Sequence, residues 1–160
     1  MIKLPRFPVE GGCACGAVRY RLTEAPLAIY TCHCTDCQTL STSAFTLTMP
    51  VRPQALEITG KLRTWIRVPP SGNQLPQHVC ANCGVRIYSE PAHARSKSLR
   101  CGTLDDTSWI EPVAAIWMRS AQPWVRMPEG CLLYETDGDF PGEIIPRFKS
   151  LITPSSLDEA

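Results

Sequence analysis

The sequence predicts an all-β fold with a minor helical element, and three observations carry that prediction. Fifteen prolines and ten glycines are spread along 160 residues, which leaves little room for long helices. Two segments alternate with the period of a strand that has one buried face. In the first, Val18, Tyr20 and Leu22 alternate with Arg19, Arg21 and Thr23; in the second, Leu62, Thr64, Ile66 and Val68 alternate with Lys61, Arg63, Trp65 and Arg67. Short apolar runs of strand length recur between turn residues over the rest of the chain.

In chain order, the strand candidates are 18–23, 27–32, 44–49, 56–59, 61–68, 85–88, 99–102 and 113–118. One short helical turn is expected after Cys37. The segment 69–76, Pro-Pro-Ser-Gly-Asn-Gln-Leu-Pro, reads as a loop. It is either an ordinary hairpin connection or the border of a metal site, because Cys80 follows closely. Residues 1–150 are expected to form one domain, and the polar, acidic stretch 151–160 a frayed tail. No internal repeat or shift in composition marks a second domain.

The composition excludes several function classes. The formal net charge is +1, without the basic footprint of a nucleic-acid binder or the polybasic patch of a membrane-surface protein. The opening Met1-Ile2-Lys3-Leu4-Pro5-Arg6-Phe7-Pro8 lacks the apolar core of a secretion signal. No apolar run approaches the ~20 residues that span a bilayer. The expectation is a cytoplasmic protein with no nucleic-acid or membrane partner. Thiols stay reduced in that compartment, so nine cysteines argue for metal binding or catalysis over disulfides.

Seven of the nine cysteines fall into three clusters: Cys13-Ala14-Cys15, Cys32-His33-Cys34-Thr35-Asp36-Cys37 and Cys80-Ala81-Asn82-Cys83. On a strand, residues i and i+2 share a face, so Cys13 with Cys15, and Cys32 with Cys34, can each grip one ion. A C-x-x-C turn sets two sulfurs on one side of a knuckle. Gly84, directly after Cys83, lets the backbone take a positive φ there. Thiolate-rich tetrahedral sites favour zinc over an iron–sulfur cluster, although C-x-C-x-x-C has some likeness to cluster spacing. Seven ligands do not divide into two sets of four. A four-cysteine set would be closed and structural, whereas a three-cysteine set would keep the open position typical of catalytic zinc.

The favoured division joins Cys80 and Cys83 to Cys13 and Cys15 and leaves the triple intact. The alternative joins Cys80 and Cys83 to two members of the triple. His33 lies between two ligands, so on an extended strand it should point away from them. Cys101 and Cys131 read as small buried hydrophobes, and His78 and His93 as loop residues. Trp65, Trp109, Trp117 and Trp124 read as core or sheet-face residues rather than a substrate cage.

The three clusters in this order resemble the glutathione-dependent formaldehyde-activating enzyme family, also called the centromere protein V-like family. The resemblance starts at Gly11-Gly12-Cys13-Ala14-Cys15-Gly16-Ala17-Val18-Arg19-Tyr20. It continues through the triple to Ser43-Ala44-Phe45, through Cys80-Ala81-Asn82-Cys83-Gly84 and Cys101-Gly102-Thr103-Leu104-Asp105, to Ile116-Trp117 and Pro123-Trp124-Val125. It covers roughly residues 10–135. It implies a β-tent fold of sheets meeting around zinc. It also implies that Cys13, Cys15, Cys80 and Cys83 share a structural zinc, while Cys32, Cys34 and Cys37 hold a second zinc linked to activity. The sequence departs from the family pattern at three places. Gln38 and Thr39 stand where basic residues are common, Thr42 where glycine is common, and Val79 where an aromatic is common.

The implied activity is that of a zinc-dependent carbon–sulfur lyase, joining glutathione and formaldehyde as S-(hydroxymethyl)glutathione synthase does, or handling a related thiol adduct. Zinc would hold the substrate thiol deprotonated or polarise the aldehyde. A three-thiolate site should bind zinc more weakly than a four-thiolate one, so partial occupancy is expected there. Asp36 is a general-base candidate by nearness alone. Arg63, Arg67 and Arg100 are candidates to receive the glutathione carboxylates. The rival readings are a non-catalytic zinc-stabilised binding module, with water or His33 completing the second site, and a thiol- or metal-responsive protein.

Overall fold

Short strands dominate the computed structural model, which describes residues 1–69, 72–91 and 95–153. In chain order they are β1 (Ile2–Lys3), β2 (Val9–Gly12), β3 (Arg19–Leu22), β4 (Tyr30–Cys32), β5 (Thr46–Val51), β6 (Leu56–Thr59), β7 (Leu62–Arg67), β8 (Leu75–Cys80), β9 (Arg86–Ser89), β10 (Lys97–Arg100), β11 (Ala114–Ile116), β12 (Leu132–Leu133) and β13 (Ile152–Thr153). Two α-helices accompany them, α1 (Thr35–Ser41) and α2 (Ile145–Leu151). Among the described residues, no helix is long and apolar enough to cross a membrane. The fold class is all-β with minor helices, as the periodicity predicts.

The chain divides into two compact units. The first takes Met1–Leu4, Leu27–Met49 and the chain from Trp109 onward. Its central strands run in the order β12-β11-β4-β5. β11 lies parallel to both β12 and β4, and β4 antiparallel to β5. Cys32 ends β4, opposite Ile116 on one side and Thr46 on the other. Ile29, Ala114, Ala115, Ile144 and Phe148 are fully buried in this unit. Ile144 and Phe148 are one helical turn apart, so both face inward. Burying each contributes about 1.5–3 kcal/mol. The π-helical turn Phe140–Ile144 leads into α2, with the Asp139 carboxylate accepting the Gly142 amide at 2.9 Å.

The second unit takes Pro5–Pro26 and Pro50–Ser108. One of its sheets is β2-β3-β6, all antiparallel. In β3, Tyr20 and Leu22 are buried while Arg19 and Arg21 face out, as the alternation predicts. Arg19 pairs with Asp105, and Arg21 lies 3.4 Å from Glu57. Its other strands run in the order β10-β9-β8-β7, again antiparallel. Ile87 and Leu99 are fully buried there.

Several expectations need correction. Strand 27–32 forms only over its last three residues, and 113–118 stops at Ile116 because Trp117 takes a left-handed backbone with φ 60°. The 99–102 candidate ends at Arg100 and passes into a 3-10 turn, Cys101–Thr103. The helical turn expected after Cys37 starts at Thr35 and contains Cys37. The segment read as a loop to residue 76 already carries the first residues of β8, with Pro76 near the strand's start and its carbonyl accepting the Glu90 amide at 3.0 Å. Pro70, Ser71, His93 and the tail from 154 lie outside the described residues.

His78 is a strand residue, not a loop residue. It stacks on Tyr88 at 4.2 Å, bonds Thr64 through Nδ1 at 3.0 Å, and lies 3.2 Å from Glu90. Of the four tryptophans, Trp109 is buried, whereas Trp65 and Trp124 are exposed.

Candidate metal centre

Each thiol cluster is built by local backbone geometry. β2 ends at Gly12, so Cys13 and Cys15 stand on a turn and not on the strand that their spacing suggests. The turn closes with Gly16 N–H donating to the Cys13 carbonyl at 3.1 Å and Cys13 N–H to the Val18 carbonyl at 3.0 Å. Gly11, just before it, has no room for a side chain: a Cβ there would fall on the Tyr20 hydroxyl and the Thr103 carbonyl.

The other half of this cluster is the knuckle after β8. Cys80 N–H donates to Val85 carbonyl at 2.9 Å, and Gly84 N–H to Cys80 carbonyl at 3.0 Å. Gly84 has φ 76°, the left-handed geometry that glycine adopts without steric cost.

The sulfurs of Cys13, Cys15, Cys80 and Cys83 all lie within 4.8 Å of one another. The Cys13–Cys15 separation is 3.5 Å and the Cys15–Cys80 separation 3.8 Å. A tetrahedral zinc with Zn–S bonds of about 2.3 Å spaces its sulfurs about 3.8 Å apart, so the set fits such an ion. Amides already point at the sulfurs. Val18 N–H donates to Cys13 at 3.2 Å, Cys83 N–H to Cys80 at 3.5 Å, and the Asn82 side chain to Cys15 at 3.2 Å.

These donors act on the thiol acidities. Burial pushes Cys13 up, but the Val18 amide and the surrounding sulfurs outweigh it and bring the thiol down to about 6. The Val85 and Cys15 backbone lowers Cys83 as well. Cys80 receives the Cys83 amide, which lowers it, yet burial and the protons shared with Cys13 and Cys83 leave it raised.

The second cluster is Cys32, Cys34 and Cys37, also within 4.8 Å of one another. Cys32 closes β4. Cys34 is the N-cap of α1, its sulfur accepting the Cys37 amide at 3.4 Å in the place that Ser, Thr, Asp or Asn usually fills. The helix thus begins inside the triple and turns Cys37 back toward Cys34. Among the described residues, no fourth His, Cys, Asp or Glu donor joins this set.

His33 is fully buried and its Nε2 bonds Thr31 Oγ1 at 2.9 Å, so the imidazole is engaged away from the sulfurs. Burial holds it below the usual histidine range. Hydrogen bonding to the Cys34 and Cys37 sulfurs, and then burial, push the Cys32 thiol far up. Three thiols crowded together need a cation before all of them can ionise.

Other candidates fall elsewhere. Asp36 lies in the first turn of α1, where a carboxylate is favoured by the helix dipole. Arg63 and Arg67 stand on β7, and Arg100 at the end of β10 bonds Ser89 Oγ at 2.7 Å. Burial pushes the lone thiols Cys101 and Cys131 up to about 12 and 11; Cys101 is a buried filler as expected, whereas Cys131 is only half-buried. The sequence marks Gln38 only as a departure from the family pattern; its amide ties the triple's backbone to the segment after β11.

The family model for the glutathione-dependent formaldehyde-activating enzyme matches residues 8–120, well over half of the chain, and contains both thiol clusters. The chain belongs to this family. None of the curated proteins matches it. A crystal structure of a Rhodobacter sphaeroides protein aligns with TM-score 0.47 and 16% identity, over 60% of this chain and 87% of that one. The range matched by the formaldehyde-activating family model takes in all seven cysteines of the three clusters.

Proposed function

We propose that the chain is a zinc-dependent carbon–sulfur lyase-type enzyme, acting on glutathione and formaldehyde or on a related thiol adduct. Cys13, Cys15, Cys80 and Cys83 are read as ligands of a structural zinc, and Cys32, Cys34 and Cys37 as ligands of the zinc used in the reaction. The observation that carries the reading is the difference in ligand number. One cluster has four thiols and the other three, and zinc sites with a vacant position are the ones that take substrate.

Zinc bound at the triple would supply a Lewis acid that makes a bound thiol more acidic or polarises a carbonyl. In the proposed reaction the S–H bond of the substrate thiol breaks. Its sulfur forms a bond to the aldehyde carbon, and the carbonyl oxygen takes up a proton, giving the S-hydroxymethyl adduct with no other reactant. The residues hold this in place in distinct ways. Cys32 is fixed by strand pairing on both sides, while Cys34 and Cys37 are half-buried, which leaves that side of the cluster within reach of a small thiol. Asp36 is accounted for by its helix-terminal position and is assigned no proton transfer. Arg63, Arg67 and Arg100 stand on β7 and β10 of the second unit and are assigned no part in the reaction.

The test is metal content and activity of wild type and Cys34→Ser. Two zincs per wild-type chain are expected, one of them perturbed by glutathione. Cys34→Ser should keep one zinc and lose activity. Full activity in that variant would remove zinc from the mechanism. Two zincs indifferent to glutathione would favour a closed, purely structural module instead.

A further inference from the structure

Gln38 follows Cys37 directly, and its side-chain amide folds back across the start of α1. Its Nε2 donates to the His33 carbonyl at 2.8 Å and to the Ser120 carbonyl at 2.8 Å. Its Oε1 accepts from Gln122 Nε2 at 3.3 Å. The donors and the acceptor of the amide are therefore all used.

The His33 carbonyl is the informative partner, because it belongs to the residue between Cys32 and Cys34. It accepts a second bond from Ser120 Oγ at 3.0 Å, and the His33 N–H donates to the Ile116 carbonyl at 3.0 Å. Three hydrogen bonds thus hold the backbone from which two of the three thiols project. The bonds continue outward: Gln122 Oε1 accepts the Trp124 indole N–H at 2.7 Å.

We infer that Gln38 is a positioning residue of the three-thiol site, locking the Cys32-His33-Cys34 backbone so that three sulfurs alone form a usable metal cradle. The inference rests on the reading that this triple holds a metal. A glutamine suits the role and a carboxylate does not, since two carbonyl oxygens face its Nε2. A four-thiol site can lose some precision and still be coordinated on every side. A three-thiol site has no spare ligand, so its affinity depends more on backbone held in register. Groups that orient metal ligands typically contribute 10–100-fold to metal affinity.

The experiment is cobalt titration of the whole protein, comparing wild type with Gln38→Glu, with a chromophoric chelator as competitor. The isosteric change should lower affinity at the triple about 10–100-fold and shift the cobalt–thiolate bands of that site. The bands and affinity of the four-thiol site, which serves as the internal control, should not change. A loss below fivefold at the triple overturns the inference. So does a loss shared equally by both sites, because the bonds described belong to one of them. If Gln38→Glu does not fold, Gln38→Ala is judged by the same limits. Failure of the underlying reading looks different: wild type itself would bind a single cobalt per chain, before any substitution.

Discussion

The two thiol clusters differ in where their ligands come from along the chain. The four-thiol cluster joins two turns, with Cys15 and Cys80 separated by 65 positions. The three-thiol cluster comes from one continuous stretch, Cys32 to Cys37. A cross-link that closes a long loop removes more freedom from the unfolded chain than one that closes a short loop. By the chain-entropy relation, a closure of this length is worth about 4 kcal/mol, against about 2 kcal/mol for a stretch as short as the triple. The first arrangement suits a staple. The second closes far less chain and ties the fold to its metal about half as strongly, which suits a metal held for chemistry under the proposed reading.

The largest expected effect breaks the staple. Cys80→Ser should lower the melting temperature by roughly 10 °C, whereas Cys34→Ser should lower it far less while abolishing activity. Calorimetry of the two variants beside wild type decides this, and equal losses would end the distinction.

Next in size is the order of metal release. Thiols must be deprotonated to bind metal, and three of them compete less well with protons or a chelator than four. On slow acidification or chelator titration, one zinc should leave first at a cost of about 5 °C in melting temperature. The second should leave together with the fold. Simultaneous release of both would contradict this.

The smallest effect concerns the backbone beside each cluster. Gly84, at the four-thiol knuckle, has φ 76°, and Thr42, which caps the C-terminus of α1, has φ 50°. Left-handed backbone disfavours any residue with a Cβ by roughly 1–2 kcal/mol, β-branched ones included. Gly84→Ala should therefore destabilise by about 1 kcal/mol and Thr42→Gly should stabilise by a similar amount, both read by chemical denaturation.

How much of this was legible in the sequence depended on the kind of signal. The grouping of seven cysteines into four and three was legible because spacing and ligand arithmetic act locally. The strand around Tyr20 was legible because alternation survives in an antiparallel sheet; β7 forms where it was expected, but Ile66 is exposed and none of its residues is buried, so the alternation read there does not mark a buried face. β2 was not, because its last two residues are glycines, Gly11 required by the close approach of Tyr20 and Gly12 by that of the Val18 carbonyl, and not by strand preference. β8 was hidden by Pro76, and α2 by the Pro141-Gly142 pair, which reads as a breaker yet forms a π turn capped by Asp139. The Gln38 bridge could not be read at all, since its partners on the segment after β11 are brought to it by tertiary structure alone.

The exposed cluster thiols belong to the set with more ligands. Cys15 and Cys83 of the four-thiol cluster are exposed and Cys13 and Cys80 buried, while Cys32 is buried and Cys34 and Cys37 are half-buried. Peroxide attacks accessible thiolates first, converting them to sulfenic acid and then to disulfide or higher oxides. The sulfurs that staple the second unit thus stand nearest the oxidant. Ageing in air should therefore oxidise Cys15 and Cys83, and cost the fold, faster than it oxidises Cys34 and Cys37. Loss of activity in an old sample would then record a damaged scaffold rather than a spent reaction centre.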